Sequence, residues 1–258
     1  MLLTDRVAVV SGVGPGVGRS VALRFAHERA KVVLACRGVE KAEAIADEVR
    51  ELGRDVLVQS CDVTQPEQCQ ALVDATVQAF GRLDVLVNNA FATGKIKPLM
   101  KADVAASWRT PFEVNVYGTL DLSQRAALAM NDGGSIVMIG TQSALVPEPG
   151  LGSYGASKAA LAAASQGLAT ELGPRSIRVN TVVPSHIDGP NLRYWFKMEA
   201  KRRAIDEEEV YRETAALGLL PHVCTSDEVA GAVLFFASDL SSAITGQSLK
   251  VNCGQLLS

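Results

Sequence analysis

The chain has 258 residues, of which 48% are hydrophobic and 21% are charged, and its formal net charge at pH 7 is -3. This composition suits one α/β domain with a sizeable core. The weakly acidic charge gives no electrostatic reason to expect nucleic acid or an anionic membrane surface as a partner. The sequence shows no signal-peptide pattern and no apolar run long enough to span a bilayer, so a cytoplasmic protein is the expectation.

Five cysteines and three histidines are scattered along the chain without metal-ligand spacing. No two cysteines form a Cys-x-x-Cys pair, and the number of cysteines is odd. Buried free thiols in a reducing compartment fit this pattern better than a disulfide framework or a zinc site. We therefore expect no bound metal.

Strand-like and helix-like segments alternate along the chain. Short β-branched runs predict strands, and apolar residues at helical spacing predict helices between them. Because near-continuous apolar strands alternate with helices, a parallel sheet covered on both faces is favoured. The predicted fold is α/β, a single doubly wound (Rossmann) domain over residues 1–258. The predicted strands are 6–10, 31–35, 56–58, 84–87, 135–139, 177–183 and 248–251, and the predicted helices are 18–29, 41–52, 66–80, 116–130, 153–171 and 226–237.

The segment 185–224 breaks this alternation. It is rich in aromatic residues at 191–196, and it is heavily charged with helical character at 201–213. A long insertion after a strand of a parallel sheet lies at the carboxyl edge, where ligands bind. We interpret the segment as a lid over the substrate. The alternative is a surface excursion that packs its own aromatic residues or meets a partner subunit.

A glycine-rich turn, Ser11-Gly-Val-Gly-Pro-Gly-Val-Gly18, directly follows the first strand and opens the first helix. Glycine permits the tight turn and lets backbone amides approach a pyrophosphate, which the helix N-terminus also attracts. In this context the turn predicts a dinucleotide site, with a plain turn as the alternative. The residues predicted to line it are Gly12, Gly14, Gly16, Val17 and Gly18.

The end of the second predicted strand bears on which dinucleotide binds. Cys36 stands where NAD-binding proteins usually place an acid, and Arg37 follows it. Arginine suits a 2′-phosphate through a forked, charge-assisted contact, so NADP is favoured and NAD is the alternative. Arg37 could instead be solvated or stack on adenine.

Tyr154 and Lys158 lie four residues apart at the start of an alanine-rich helical stretch, so they share one face of a helix. The reference pKa of a phenol is about 10, and a neighbouring ammonium lowers it. Such a tyrosine can donate or accept a proton near neutral pH. The alternative is an ordinary helix start with a snorkelling lysine.

Together these motifs resemble the short-chain dehydrogenase/reductase family over nearly the full length. The glycine loop is similar to the family's Thr-Gly-x-x-x-Gly-x-Gly, with Ser11 in place of threonine, and Tyr154 and Lys158 match its Tyr-x-x-x-Lys pair. The resemblance implies that Asp62 and Val63 hold the adenine ring, and that Asn89 and Ala90 border the cofactor. It also places Pro184 and Ile187 in the loop that closes on the nicotinamide.

The same resemblance implies hydride transfer between a nicotinamide cofactor and a secondary alcohol or ketone. Tyr154 would act as acid and base, Lys158 would lower its pKa and bind the ribose, and Asn115 would position a water that links Lys158 to solvent. Family spacing assigns the hydroxyl that binds the substrate oxygen to Thr141, and Ser143 competes for this role. The alternatives are a non-catalytic dinucleotide-binding sensor or scaffold and a redox-neutral epimerase or dehydratase.

The sequence departs from the family pattern at three further positions: Phe91 and Ser185 replace glycines, and Gly189 replaces a threonine that often contacts the carboxamide. By analogy with the family, association through helices at 107–130 and 153–173 would give a homotetramer or a homodimer. Apolar side chains near the expected cleft suggest a hydrophobic ketone or alcohol as substrate, namely Phe91, Leu145, Val146, Tyr194, Trp195 and Phe196.

Overall fold

The computed structural model describes residues 1–257, so Ser258 of the predicted domain lies outside the described residues. Seven of the nine strands form one parallel sheet in the order β3-β2-β1-β4-β5-β6-β9, and the short strands β7 and β8 pair separately. All seven predicted strands are present, which confirms the doubly wound α/β fold. The strands are β1 (Val7–Ser11), β2 (Lys31–Cys36), β3 (Val56–Ser60), β4 (Val85–Asn88), β5 (Ser135–Ile139), β6 (Arg178–Pro184), β7 (Ile187–Asp188), β8 (Cys224–Thr225) and β9 (Ser248–Val251).

Helices cover both faces of the sheet, and a separate hydrophobic cluster fills each face. One cluster joins Phe25 and Phe236 to the strands, and the other joins Leu122 and Leu161 to them. Because both faces are covered, the central strands β1, β2 and β4 are near-continuous apolar runs and do not alternate. The helices are α1 (Val17–His27), α2 (Val39–Glu51), α3 (Pro66–Phe80), α4 (Val104–Ser107), α5 (Arg109–Phe112), α6 (Thr119–Ala129), α7 (Gly152–Leu172), α8 (Pro190–Arg203), α9 (Glu207–Ala215) and α10 (Ser226–Ala237).

The helix predicted at 116–130 is part of a longer helical run whose pitch changes. A π-helical turn, Glu113–Gly118, connects α5 to α6. Gly118 lies directly against the next layer, because a Cβ atom there would be 2.3 Å from the carbonyl oxygen of Val63. This close approach is a tertiary contact, and the hydrophobic periodicity of the segment gives no sign of it.

The switch point of the sheet lies at β1, whose neighbours β2 and β4 continue in opposite directions along the strand order. Ligands of open α/β sheets bind at the carboxyl ends of the strands beside such a point. The side-chain amide of Asn89, just after β4, donates a 2.7 Å hydrogen bond to the carbonyl of Gly12, just after β1. This bond fixes the loop after β4 against the glycine loop.

The excursion after β6 is built from α8 and α9 and closes with the β7–β8 pair. It has its own small core, in which Phe196 is fully buried and packs edge-on against Tyr211. The suggestion that Phe196 lines an apolar pocket is therefore wrong, whereas Tyr194 and Trp195 are exposed. The segment thus packs some of its own aromatic residues, and its action as a lid stays a prediction.

Within residues 1–257, every helix is too short or too polar to cross a bilayer. The five cysteines are free thiols, four of them buried. In the same range, no three His, Cys, Asp or Glu side chains are grouped as a metal site would need.

Candidate active site

The glycine loop holds its shape because two of its glycines touch backbone. Gly12 has φ +69°, and a Cβ atom there would lie 2.4 Å from the backbone of Ala90. A Cβ atom on Gly18 would lie 2.9 Å from Cα of Val13. In contrast, nothing lies within 4 Å of a Cβ atom built on Gly14. The loop is therefore packed on its inner side and open at Gly14. Gly16 caps the N-terminus of α1, and Val17 is its first residue. This helix N-terminus would attract a phosphate that binds at Gly14.

The residues predicted to hold the adenosine half lie around the neighbouring strand ends. Arg37 is exposed just beyond β2 and forms no ion pair within the described range 1–257. The carboxylate of Asp62 accepts hydrogen bonds from the backbone and hydroxyl of Thr64, and the side chain of Val63 is buried. Arg37 is thus free to contact a phosphate, whereas the carboxylate of Asp62 is hydrogen-bonded within its own turn. Their contacts with a cofactor stay predictions.

Lys158 lies one turn after Tyr154 on α7 and is 2% exposed. Its Nζ donates a 2.7 Å hydrogen bond to the main-chain carbonyl of Ile139, at the end of β5. Burial disfavours the charged ammonium and lowers the pKa of Lys158 to about 8. Lys158 is thereby placed at the carboxyl end of β5, one helical turn after Tyr154 as the sequence predicts.

The pKa of Tyr154 is raised, and not lowered as the neighbouring Lys158 led us to expect. Burial raises the pKa of Tyr154, a hydrogen bond with Thr141 offsets part of this effect, and the negative charge of Glu148 raises the pKa further. The phenol therefore keeps its proton more firmly than a phenol in water. Lys158 is not among the groups that shift this pKa, and its ammonium donates to the carbonyl of Ile139.

Thr141 and Ser143 occupy different positions around the phenol. Thr141 is buried, faces Tyr154, and accepts a 3.3 Å hydrogen bond from the backbone N–H of Ser143. The hydroxyl of Ser143 instead donates a 2.8 Å hydrogen bond to Oε1 of Glu148. The hydroxyl of Thr141 donates a 3.4 Å hydrogen bond to that of Ser143, and of the two candidates only Thr141 shifts the pKa of Tyr154. The structure thus favours Thr141, and its catalytic role stays a prediction.

Asn115 is fully buried in the π-helical turn, and both polar atoms of its side-chain amide have partners in the protein. It donates to the carbonyl of Ala92 and to the hydroxyl of Ser157, and it accepts from the N–H of Ala92, at 2.8–2.9 Å. Both N–H groups of the amide are therefore used, so a water bound at this residue would have to donate to Oδ1 or to the main-chain carbonyl. Ser157, which sequence reasoning missed, joins α7 to this turn.

The remaining predicted residues lie at or just after the carboxyl ends of β4 and β6. The ring of Phe91 is 6.3 Å from the ring of Tyr154 and is 51% exposed, so it forms a wall beside the phenol. Pro184 ends β6, and Ile187 begins β7 and packs partly against the core. Sequence reasoning also missed Glu148, whose only signal was a carboxylate six residues before Tyr154.

A family profile described as "enoyl-(acyl carrier protein) reductase" matches residues 12–255. The 7alpha-hydroxysteroid dehydrogenase of Escherichia coli (strain K12) is 32% identical over 254 residues, covering 98% of this chain and 94% of the relative. The 3-oxoacyl-[acyl-carrier-protein] reductase of Thermotoga maritima is 32% identical over 261 residues and the full length of both. Carveol dehydrogenase from Mycobacterium avium in complex with NAD has a TM-score of 0.90 at 28% identity, covering 99% of each chain.

The fold, the glycine loop and these similarities define an oxidoreductase that binds a nicotinamide dinucleotide. The chain belongs to the short-chain dehydrogenase/reductase family.

Proposed function

We propose that this enzyme interconverts a secondary alcohol and a ketone with NADP(H), and that Tyr154 is its acid and base. One arrangement supports the proposal above all. The phenol of Tyr154, the hydroxyl of Thr141 and the ammonium of Lys158 converge at the carboxyl end of β5, on the same sheet edge as the open glycine loop. The relatives named as dehydrogenases and reductases support the same class of reaction.

The chain's own groups would manage the proton and the orientation. Thr141 would donate a hydrogen bond to the substrate oxygen and hold it beside Tyr154. The phenol would give its proton to that oxygen in reduction, and the phenolate would take it back in oxidation. A nicotinamide, when bound, supplies or accepts the hydride at the carbon. Positioned acid–base catalysis of this kind is worth about 10²–10⁴-fold in rate.

Lys158 would bind ribose hydroxyls and favour the phenolate once its ammonium is drawn from the carbonyl of Ile139. This effect would lower the pKa of Tyr154, which burial raises. An oxygen of Asn115 would hold the water that returns the proton from solvent, because both N–H groups of its side-chain amide are already bonded to Ala92 and Ser157.

NADP is favoured because Arg37 is exposed and free of ion pairs at the end of β2, where no carboxylate stands within the strand. A similar structure, named NAD+-bound xylitol dehydrogenase, contains NAD+. Its TM-score is 0.89 at 27% identity, covering 96% of this chain and 98% of that one. NAD is therefore the alternative.

The substrate would be an apolar ketone or alcohol, since exposed apolar side chains flank Tyr154. Phe91, Leu145 and Val146 are 41–53% exposed there, and Tyr194 and Trp195 project from the excursion that we propose as a lid. Assembly as a homotetramer or dimer through α6 and α7 is supported by Leu128, which is 82% exposed on α6. The five free thiols support a reducing, cytoplasmic compartment.

The proposal is tested by a screen of ketones with NADPH and NADH and of alcohols with NADP+ and NAD+. The absorbance of the nicotinamide reports the reaction. We expect net absorbance change with an apolar ketone or alcohol, and a loss of about 10²-fold or more in kcat for Tyr154→Phe. Tyr117→Phe is the matched control, because Tyr117 is 64% exposed on the π-helical turn. Dinucleotide binding without any turnover would indicate a sensor or scaffold instead. Turnover without net absorbance change would indicate a redox-neutral enzyme.

A further inference from the structure

A carboxylate stands next to the groups proposed to react. Glu148 lies in the loop between β5 and α7, and its Oε1 accepts the 2.8 Å hydrogen bond from the hydroxyl of Ser143. That hydroxyl is 3.4 Å from the hydroxyl of Thr141, which faces Tyr154. Glu148 is therefore two polar contacts away from the place where the substrate oxygen would bind.

The loop that carries Glu148 is held from two sides, so the carboxylate has a defined place. On one side, Gly155 of α7 lets the loop approach, because a Cβ atom there would be 2.5 Å from the carbonyl oxygen of Ser143. On the other side, the backbone N–H of Lys97 donates a 3.1 Å hydrogen bond to the carbonyl of Gly150. The carboxylate itself is in an exposed residue, and a ligand in the cleft can reach it.

The carboxylate of Glu148 forms no ion pair within the described residues. Within the described residues, Ser143 is its sole side-chain hydrogen-bond partner, and no Lys, Arg or His lies within ion-pair distance. The side chains that flank it in the loop, Leu145 and Val146, are apolar and exposed, as is Phe91 across the cleft. An unpaired negative charge thus stands in an otherwise apolar wall beside Tyr154.

We propose that Glu148 selects substrates by charge. It favours ketones and alcohols that carry a cationic group beyond the reacting carbon, and it disfavours those that carry an anionic group there. The inference rests on the proposed function, since it assumes that a carbonyl or alcohol oxygen binds between Thr141 and Tyr154. It adds that the substrate body is apolar and that its distal group is cationic or neutral.

The size of the effect follows from Coulomb's law. A substrate that fills the cleft replaces water between the two charges, so their interaction is stronger than in bulk solvent. Because Glu148 is exposed, salt and remaining water screen part of it. We expect the charge to change the relative kcat/KM of charged and neutral substrates by about fivefold.

Three ketones of matched size test the proposal. The neutral one is cyclohexanone with two methyl groups on the carbon opposite the carbonyl. In the cationic one, a quaternary nitrogen replaces that carbon, and the anionic one carries a carboxylate there. The measured quantity is the kcat/KM of each charged ketone divided by that of the neutral ketone, so differences in overall activity between variants cancel.

We compare wild type with three variants. Glu148→Gln keeps an oxygen that can accept from Ser143, and Glu148→Asp keeps the charge. The third variant, Glu171→Gln, is the control. Glu171 is an exposed carboxylate near the far end of α7. In Glu148→Gln, the relative kcat/KM should fall about fivefold for the cation and rise about fivefold for the anion. Glu148→Asp should retain most of the preference, and Glu171→Gln should retain all of it.

Equal ratios in wild type and Glu148→Gln would overturn the proposal, because a purely structural role of Glu148 would change all three ketones alike. If wild type reduces the neutral ketone, the proposed function stands whatever the ratios show. If wild type reduces none of the three, and no compound in the broader screen either, the proposed function fails and the selection by charge fails with it.

Discussion

Nζ of Lys158 lies 2.7 Å from the carbonyl oxygen of Ile139, so a helix residue is bonded to the last residue of a central strand. The bond places the ammonium at the carboxyl edge of the sheet, among the groups proposed to act. A single carbonyl compensates only part of the hydration that a buried ammonium loses. The chain alone therefore holds this charge at a cost in stability, and ligand hydroxyls at this position would reduce that cost.

The first prediction concerns the pH dependence of folding. The pKa of Lys158 is about 8 in the folded chain and about 10.4 in an unfolded one. Below pH 8 both states hold the proton, and the folded state carries the full cost of the buried charge. Between pH 8 and 10.4 the unfolded state binds more protons, so the free energy of unfolding rises with pH, by about 3 kcal/mol in total.

This effect is measured by denaturant unfolding of wild type and Lys158→Met without cofactor. Both proteins are unfolded at pH 7.5 to 10 in the same buffer series. The difference in unfolding free energy between the two proteins should shift in favour of wild type as the pH rises. Lys250→Met, at a surface position on β9, is the control. A difference that stays constant over this range would show that Lys158 keeps its ordinary pKa.

The second prediction separates the two hydroxyl candidates. Thr141→Ala should lower kcat by about 10²-fold or more, because it removes the donor that faces Tyr154. Thr141→Ser should restore most of the rate, since it returns a hydroxyl at the same place. Ser143→Ala should cost much less, because the hydroxyl of Ser143 is directed at Glu148. Steady-state kinetics on one ketone decide, and a larger loss for Ser143→Ala would reverse the assignment.

The sequence was sufficient to predict the strands of the main sheet, because each strand contains a local apolar run that can be recognised without knowing its tertiary contacts. It was also sufficient to place Tyr154 and Lys158 on one helix face. It did not predict the π-helical turn before α6, which accompanies the contact between Gly118 and the carbonyl of Val63. That contact joins residues far apart in the chain, and no local pattern records it.

The sequence was least informative about electrostatics. The predicted direction of the pKa of Tyr154 was wrong because burial, which depends on the whole fold, raises this pKa by more than the hydrogen bond with Thr141 lowers it. Glu148 was missed for a similar reason: its place beside Ser143 depends on the path of the loop between β5 and α7. Likewise, Phe196 resembled its exposed neighbours in sequence but faces the small core of the excursion.

The third prediction uses two glycines of the same loop. Gly12→Ala forces φ +69° on a residue with a Cβ atom and places that atom 2.4 Å from Ala90, so it should destabilise the fold by about 3 kcal/mol. Gly14→Ala meets nothing within 4 Å, so it should leave the thermal midpoint nearly unchanged. Its methyl group points into the open space, and it should weaken NADPH binding in a fluorescence titration. Unchanged affinity would mean that the phosphates do not bind at Gly14.

The fourth prediction concerns the small core of the excursion. Phe196→Ala removes the largest side chain of that core and should cost about 3 kcal/mol locally. Because the excursion has a cluster separate from those of the sheet, hydrogen exchange should accelerate in residues 190–215 and remain slow in β1, β4 and β5. Tyr194→Ala, at a neighbour that is 66% exposed, is the control. Acceleration throughout the sheet would show that the excursion folds as one unit with it.

The fifth prediction tests the dinucleotide preference. Arg37→Ala should raise the KM for NADPH about tenfold and leave the KM for NADH nearly unchanged, because the forked contact serves only the 2′-phosphate. Arg54→Ala is the matched control, since Arg54 precedes β3 at the opposite edge of the sheet and also forms no ion pair within residues 1–257. The ratio of kcat/KM for the two cofactors is the measurement. If wild type prefers NADH and Arg37→Ala leaves that preference intact, the NADP assignment is wrong and Arg37 is a solvated side chain.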